Sequence, residues 1–185
     1  MKSSAEAPAL RLALIGFMGS GKSCIGRILA RRLGIPFVDL DGELERRAGR
    51  SIAEIFDAEG EAVFRSLEEE TLSILAKRAD SHVLACGGGA VISSANRALL
   101  ASAYTTIWID VPFVELMKRL SGERAKRPLL AMGDYEKKAR ALIDMREPLY
   151  ESACRLRYLW REGESDEDSA SAIMRALEES RIFPA

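Results

Sequence analysis

An α/β fold built on a parallel sheet is what this 185-residue sequence predicts, and three observations carry the prediction. Strand-like apolar runs alternate with segments of helical periodicity along the chain. The first run, residues 10–15, leads straight into Gly16-Phe17-Met18-Gly19-Ser20-Gly21-Lys22-Ser23, which fits G-x-x-x-x-G-K-[ST]. The segment 23–33 then places Ile25, Ile28, Leu29 and Leu33 on one helical face and stops at Gly34 and Pro36. Strand, glycine loop and helix therefore come in the order that a phosphate-cradling turn requires.

Five runs read as strands: 10–15, 36–40, 82–86, 105–110 and 155–160. Helices are expected between them. Ser51 and Glu54 make a capping box at the head of a short helix over 51–58, and 61–78 turns Phe64, Leu67, Thr71, Ile74 and Leu75 toward a core. Further helices are read at 94–101, 112–120, 134–150 and 167–180. The stretch 121–133 has no periodicity, contains Gly122, Pro128 and Gly133, and reads as a mobile loop.

Composition fits one domain spanning 1–185, long enough to bury roughly 70% of its unfolded surface. Apolar residues at 48% and charged residues at 30% suit a soluble globular enzyme and exclude disordered and fibrous classes. A net charge of −1 gives no general attraction to nucleic acid or membrane. No run reaches the ~20 apolar residues of a membrane span, and residues 1–8 lack the apolar core of a signal peptide. Cys24, Cys86 and Cys154 form no C-x-x-C pair, which fits reduced thiols. A cytoplasmic protein is expected, and a monomer, since no apolar stripe suggests a partner. Cys24 reads either as a small packing residue or as a thiol at a helix N-terminus, where its pKa would fall.

The chemistry begins at the glycine loop. Its glycines let the backbone curve round an anion, with the helix N-terminus behind it. Gly19, Ser20, Gly21, Lys22, Ser23 and Cys24 are thus read as a nucleoside triphosphate site, which the resemblance given below makes an ATP-binding one. Lys22 would reach the β- and γ-phosphates, and the Ser23 hydroxyl would ligate Mg²⁺. The second strand ends in Val38-Asp39-Leu40-Asp41, and alternation would put both carboxylates on one side of the strand end, where ligands gather in open parallel sheets. Asp39 is read toward the metal and Asp41 toward an acceptor hydroxyl, with helix capping by Asp41 as an equal reading. Arg65 has Glu68 and Glu69 at i+3 and i+4, which by itself suggests an exposed ion pair. Gly87-Gly88-Gly89 follows the third strand and would admit a close-lying substrate or form a sharp turn. Residues 118–127 carry the five cations Lys118, Arg119, Arg124, Lys126 and Arg127 against the single acid Glu123, as suits a segment closing over phosphates.

Taken in order, the glycine loop, Asp39-Leu40-Asp41, Phe64-Arg65 with Glu68, Gly87-Gly88-Gly89, Arg127-Pro128-Leu129-Leu130 and Arg146-Glu147-Pro148-Leu149-Tyr150 resemble the shikimate kinases, over about residues 12–150. The resemblance implies a three-layer P-loop kinase fold with strand order 2-3-1-4-5, helices on both faces, a substrate-binding segment at 41–78 and a lid at 121–133. It implies transfer of the ATP γ-phosphoryl group to the 3-hydroxyl of shikimate, with Mg²⁺ as the cofactor. Arg65 and Arg146 would clamp the substrate carboxylate, Asp41 would hold ring hydroxyls, and Gly87, Gly88 and Gly89 would close the pocket. Phe56 and Phe64 would wall it or pack in the core. Lys22, Asp41 and Arg127 become the catalytic set, and Arg127 would reach the phosphates from the lid. A second lid arginine would cover adenine. The spacing leaves Arg119 and Arg124 in competition, and Arg124 is entered in the ATP-binding set. Residues 158–166 depart from the family pattern, so no adenine contact is assigned there.

Two other readings share these motifs. A kinase of another small metabolite, such as gluconate, would keep the glycine loop but lack the Arg65 and Arg146 pair. A non-catalytic binding relative would show damage in the loop, the aspartates or the lid. A switch GTPase is disfavoured, because N-K-x-D is absent and the chain has no glutamine to orient water.

Overall fold

In the computed structural model, which describes residues 9–121 and 135–180, five parallel strands form one sheet in the order β2-β3-β1-β4-β5. They are β1 (Arg11–Ile15), β2 (Phe37–Asp39), β3 (His82–Ala85), β4 (Thr105–Asp110) and β5 (Leu156–Leu159). Strand β1 lies in the middle, with Leu12 opposite Val83 on one side and opposite Thr105 on the other. Leu12, Ala13, Leu14 and Ile15 are buried, as a strand covered on both faces must be.

The helices are α1 (Lys22–Leu33), α2 (Leu40–Ala48), α3 (Ile52–Ala76), α4 (Ser94–Ala103), α5 (Phe113–Ser121), α6 (Tyr135–Ala153) and α7 (Asp166–Glu179). One apolar cluster joins Leu12 and Leu14 to Ile25, Leu29, Ile173 and Leu177 of α1 and α7. Another joins Ala13 and Ile15 to Leu72, Leu100 and Tyr150 of α3, α4 and α6. Alternate residues of β1 thus build two cores on opposite faces, giving the three layers expected. Among the described residues, no helix is long and apolar enough to cross a membrane.

The end of β2 needs correction. Strand β2 ends at Asp39, and Leu40 already belongs to α2. The N-cap of that helix is Asp39, not Asp41, because Asp39 Oδ1 accepts from the backbone N–H of Asp41 and of Gly42 at 3.2 and 3.4 Å. The two acids therefore meet through a strand-to-helix turn rather than through strand alternation. The capping box of Ser51 and Glu54 is present, and the two helices read at 51–58 and 61–78 are the two arms of α3, which meet at Gly60, where φ of 79° and ψ of 178° break the helical path. The segment read as a lid falls almost wholly outside the described residues, with Arg124 and Arg127. Lys118 and Arg119 instead occupy the last turns of α5.

At the N-terminal end of β3, between β2 and β1, His82 is fully buried. Its Nδ1 donates to the Asp80 carbonyl at 3.0 Å, which leaves Nε2 to accept from the Tyr104 hydroxyl at 3.1 Å. Burial pushes the imidazole pKa below its ordinary 6.5. Between that lowered value and 6.5 the unfolded chain binds more protons than the folded one, so stability falls as pH drops through this window. The melting temperature should decline from pH 7.5 toward pH 5.5, and His82→Gln should flatten that part of the profile, as followed by circular dichroism.

Candidate active site

The turn between β1 and α1 needs a backbone that side chains could not adopt. Gly16, Gly19 and Gly21 have φ of 142°, 79° and 90°. A methyl at Gly16 would stand 2.5 Å from the carbonyl oxygen of Ile109, and one at Gly19 would stand 3.2 Å from Leu120. Gly21 is the N-cap of α1 and offers no side chain to its first turn, so the helix presents its N-terminal dipole to the turn's hollow. Lys22, only 9% exposed, folds back so that Nζ donates to the Phe17 carbonyl at 2.8 Å and to Ser20 Oγ at 3.4 Å.

Above this loop lies a cavity of about 490 Å³. Gly19, Gly21, Lys22, Ser23 and Cys24 contribute to its lining. On the β3 side of β1 it is bounded by Asp39, Asp41, Cys86, Gly87 and Gly88, and on the opposite side by Arg119 and Asp166. Cys24 is exposed, which rules out the packing reading. Ser20 does not line this cavity. Its buried side chain faces a separate hollow of about 210 Å³ beneath the loop, and its N–H donates to the Phe17 carbonyl at 3.2 Å.

Ser23 Oγ donates to Asp39 Oδ2 at 2.8 Å, joining the loop to the end of β2. A hydroxyl and a carboxylate at the cavity wall are hard oxygen donors, a set that suits Mg²⁺ held mainly by phosphate oxygens and water. Burial, and then the neighbouring charge of Asp39, raise the Asp41 pKa against the opposing pull of Lys22. Asp41 sits where it does because Gly87 has no side chain: a methyl there would meet Asp41 Oδ1 at 2.7 Å.

Gly89 makes the same allowance for Arg65, since a methyl there would stand 2.6 Å from Nη2 and 2.8 Å from Nη1. Arg65 is held differently from the exposed pair expected. Its Nη1 donates to Glu68 Oε2 at 2.9 Å, and Glu68 is 1% exposed, with burial raising its pKa and Arg65 opposing that rise. No contact joins Arg65 to Glu69; the second partner is Glu61 at i−4, whose Oε1 accepts from Nε at 3.3 Å and Nη2 at 3.1 Å. Arg146 comes from α6, buried at 8% exposure, with Nη1 donating to the Gly88 carbonyl at 3.3 Å and a buried Nε that has no hydrogen-bond partner. Tyr150, one turn later, donates to the same carbonyl at 2.6 Å. Arg65, Gly89 and Arg146 do not line the cavity itself but stand beside its glycine wall. Phe56 and Phe64 stack at 4.7 Å with the Arg65 guanidinium 4.9 Å from the Phe64 ring, so Phe64 is core and Phe56, 38% exposed, covers it.

Arg119 was one of two candidates for the nucleotide end. It reaches the cavity from α5 with Nε on Glu115 at 2.8 Å, Nη1 on the Gly19 carbonyl at 3.4 Å and its guanidinium 4.7 Å from the Trp160 ring. Its rival Arg124 lies outside the described residues. The reading of residues 158–166 assigned nothing here, yet Trp160 and Asp166 both come to this end. Asp166 sits there because the capping box of Ser165 and Asp168 starts α7 beside Gly21, where a methyl would meet Asp166 Oδ1 at 3.2 Å.

A glycine loop leading into a helix, a lysine folded over it, and a serine bonded to an acid at the end of the neighbouring strand define a P-loop phosphotransferase. The particular family follows from comparison with known proteins. The family model described as Shikimate kinase matches residues 18–178, and the chain belongs to the shikimate kinase family. It is 42% identical over 171 residues to the shikimate kinase of Symbiobacterium thermophilum, covering 92% of this chain and 97% of that one. It is 48% identical over 142 residues to that of a Synechococcus strain, covering 77% and 70%. Among solved structures, the shikimate kinase of Acinetobacter baumannii in complex with shikimate superposes with a TM-score of 0.87 at 33% identity, covering 95% of this chain and 96% of that one.

Because the Gly16 methyl would press on a backbone oxygen that cannot swing aside, Gly16→Ala should destabilise the fold by about 1–3 kcal/mol and weaken nucleotide binding, measured by urea denaturation and by titration with ATP.

Proposed function

We propose that this chain is an ATP-dependent shikimate kinase, acting as one domain over 1–185, that transfers the γ-phosphoryl group to the 3-hydroxyl of shikimate in the route to aromatic amino acids. The observation that carries the reading is the convergence of two arginines, Arg65 and Arg146, on Gly88 and Gly89 beside Asp41, across from a phosphate loop. Guanidinium forks match a carboxylate bidentately, and the unpartnered Nε of Arg146 is a donor left for such a ligand. Gluconate also carries a carboxylate, so what separates the two acceptors is the family match over residues 18–178 rather than the arginine pair.

In this reading the chain's own residues do four things. Gly19, Gly21 and the first turn of α1 cradle the phosphates, with Ser20 bracing the loop from beneath and Cys24 beside it. Lys22 leaves the Phe17 carbonyl to meet the β- and γ-phosphates, and Arg127, which the family pattern puts on a lid at 121–133, neutralises charge on the group in transit. Asp41 accepts the hydrogen bond of the attacking hydroxyl and fixes its direction, within a substrate segment at 41–78 that also supplies Arg65. Arg119, anchored between Gly19 and Trp160, takes the nucleotide end alongside Arg124. Mg²⁺ would be held by Ser23 and, through water, by Asp39, and would supply positive charge to offset that of the phosphates. A cytoplasmic monomer that binds neither nucleic acid nor membrane fits the near-neutral charge.

ADP release with Mg-ATP should depend on shikimate and not on gluconate or AMP; ATP binding without any shikimate response would sink the reading. Asp41→Asn should bind ATP normally and lose about 100-fold or more in kcat. The raised pKa of Asp41 puts the acid limb of kcat/KM above the ordinary aspartate range, with the rate falling as pH drops through it. A pH-rate profile checks this.

A further inference from the structure

The Arg65 guanidinium has three places where a carboxylate could lie, and only one suits a bidentate ligand. Its two terminal nitrogens face the Gly89 backbone, so near that a single methyl would close to 2.6 and 2.8 Å. Its Nη1 is taken by Glu68, which at 1% exposure has no solvent to swing into. What remains is the edge formed by Nε and Nη2, the parallel pair of N–H groups that a carboxylate fork fits. Glu61 occupies that edge, with one oxygen on both nitrogens. Its side chain is 64% exposed, so leaving costs little desolvation.

We propose that Glu61 is a displaceable occupant of the substrate's place, an internal carboxylate that the acceptor's carboxylate must remove from Arg65. The inference rests on the assignment of Arg65 to the substrate carboxylate. Glu68 and Glu61 then have opposite duties on one guanidinium. The buried acid fixes its position for good, while the exposed acid keeps its binding edge satisfied until substrate arrives and sets the affinity by competing. A ligand without a carboxylate cannot exchange with Glu61, so the same contact favours acidic acceptors over neutral ones of similar shape.

Glu61→Gln keeps the size of the side chain and removes the competing charge. It should lower KM and the dissociation constant for shikimate about two- to five-fold, the scale of an exposed ion pair, with KM for ATP unmoved. Glu69→Gln removes the same charge two turns further along α3 without touching Arg65, and should leave both constants unchanged. Steady-state kinetics and calorimetric titration with shikimate on the full chain give the two readouts. A KM that is unchanged or raised in Glu61→Gln, or an equal fall in both variants, overturns the inference while wild-type turnover of shikimate upholds the reading of the site. Absence of wild-type turnover with shikimate overturns that reading and this inference with it.

Discussion

How closely charged groups can gather around the cavity is set by three consecutive residues without side chains. Gly87 lets Asp41 approach, Gly89 lets Arg65 approach, and Gly88 turns its carbonyl to Arg146 and Tyr150 while its α-carbon lies against the loop, where a methyl would be 3.2 Å from Met18 N. Elements distant in sequence, α2, α3, α6 and the phosphate loop, are thereby referred to one short run at the end of β3. The central position of β1 completes the arrangement, since its phosphate loop emerges between the glycine run on one side and Arg119 on the other.

The acids of the site are distributed by solvent access. Asp39 is tied into a cap and to Ser23, Asp41 is half-buried with a raised pKa, Glu68 is buried against Arg65, and Glu61 stands in water. Each environment sets a different constraint: a fixed polar hinge, a desolvated group with a raised pKa, a buried anchor and an exposed partner. Desolvation, more than spacing in the chain, separates these four carboxylates.

What the sequence made legible follows the range of the forces involved. The phosphate loop, the capping box of Ser51 and the glycine run were readable because local backbone geometry dictates those residue types. All five strands fall within the runs read for them, since a sheet covered on both faces demands near-continuous apolar segments. Helix α2 was missed because its cap is the last residue of a strand, so the usual separation of elements disappears at Asp39. Of the partners sought for Arg65 at i+3 and i+4, Glu68 is present, whereas the second partner, Glu61, lies at i−4, a spacing the helix permits equally. The placing of Arg119 on Trp160, and of Asp166 beside Gly21, depends on how α5, β5 and α7 pack, and no local pattern encodes that.

The two tryptophans divide the molecule optically. Trp108 is buried and stacked 5.7 Å from Tyr150, whose hydroxyl donates to the Gly88 carbonyl, so it packs directly behind the glycine run. Trp160 is partly exposed under the Arg119 guanidinium, at the opposite side of the cavity from the glycine run, where a quencher dissolved in water can reach it. The two indoles therefore sit in environments of opposite solvent access, one shielded against α6 and one open to a dissolved quencher.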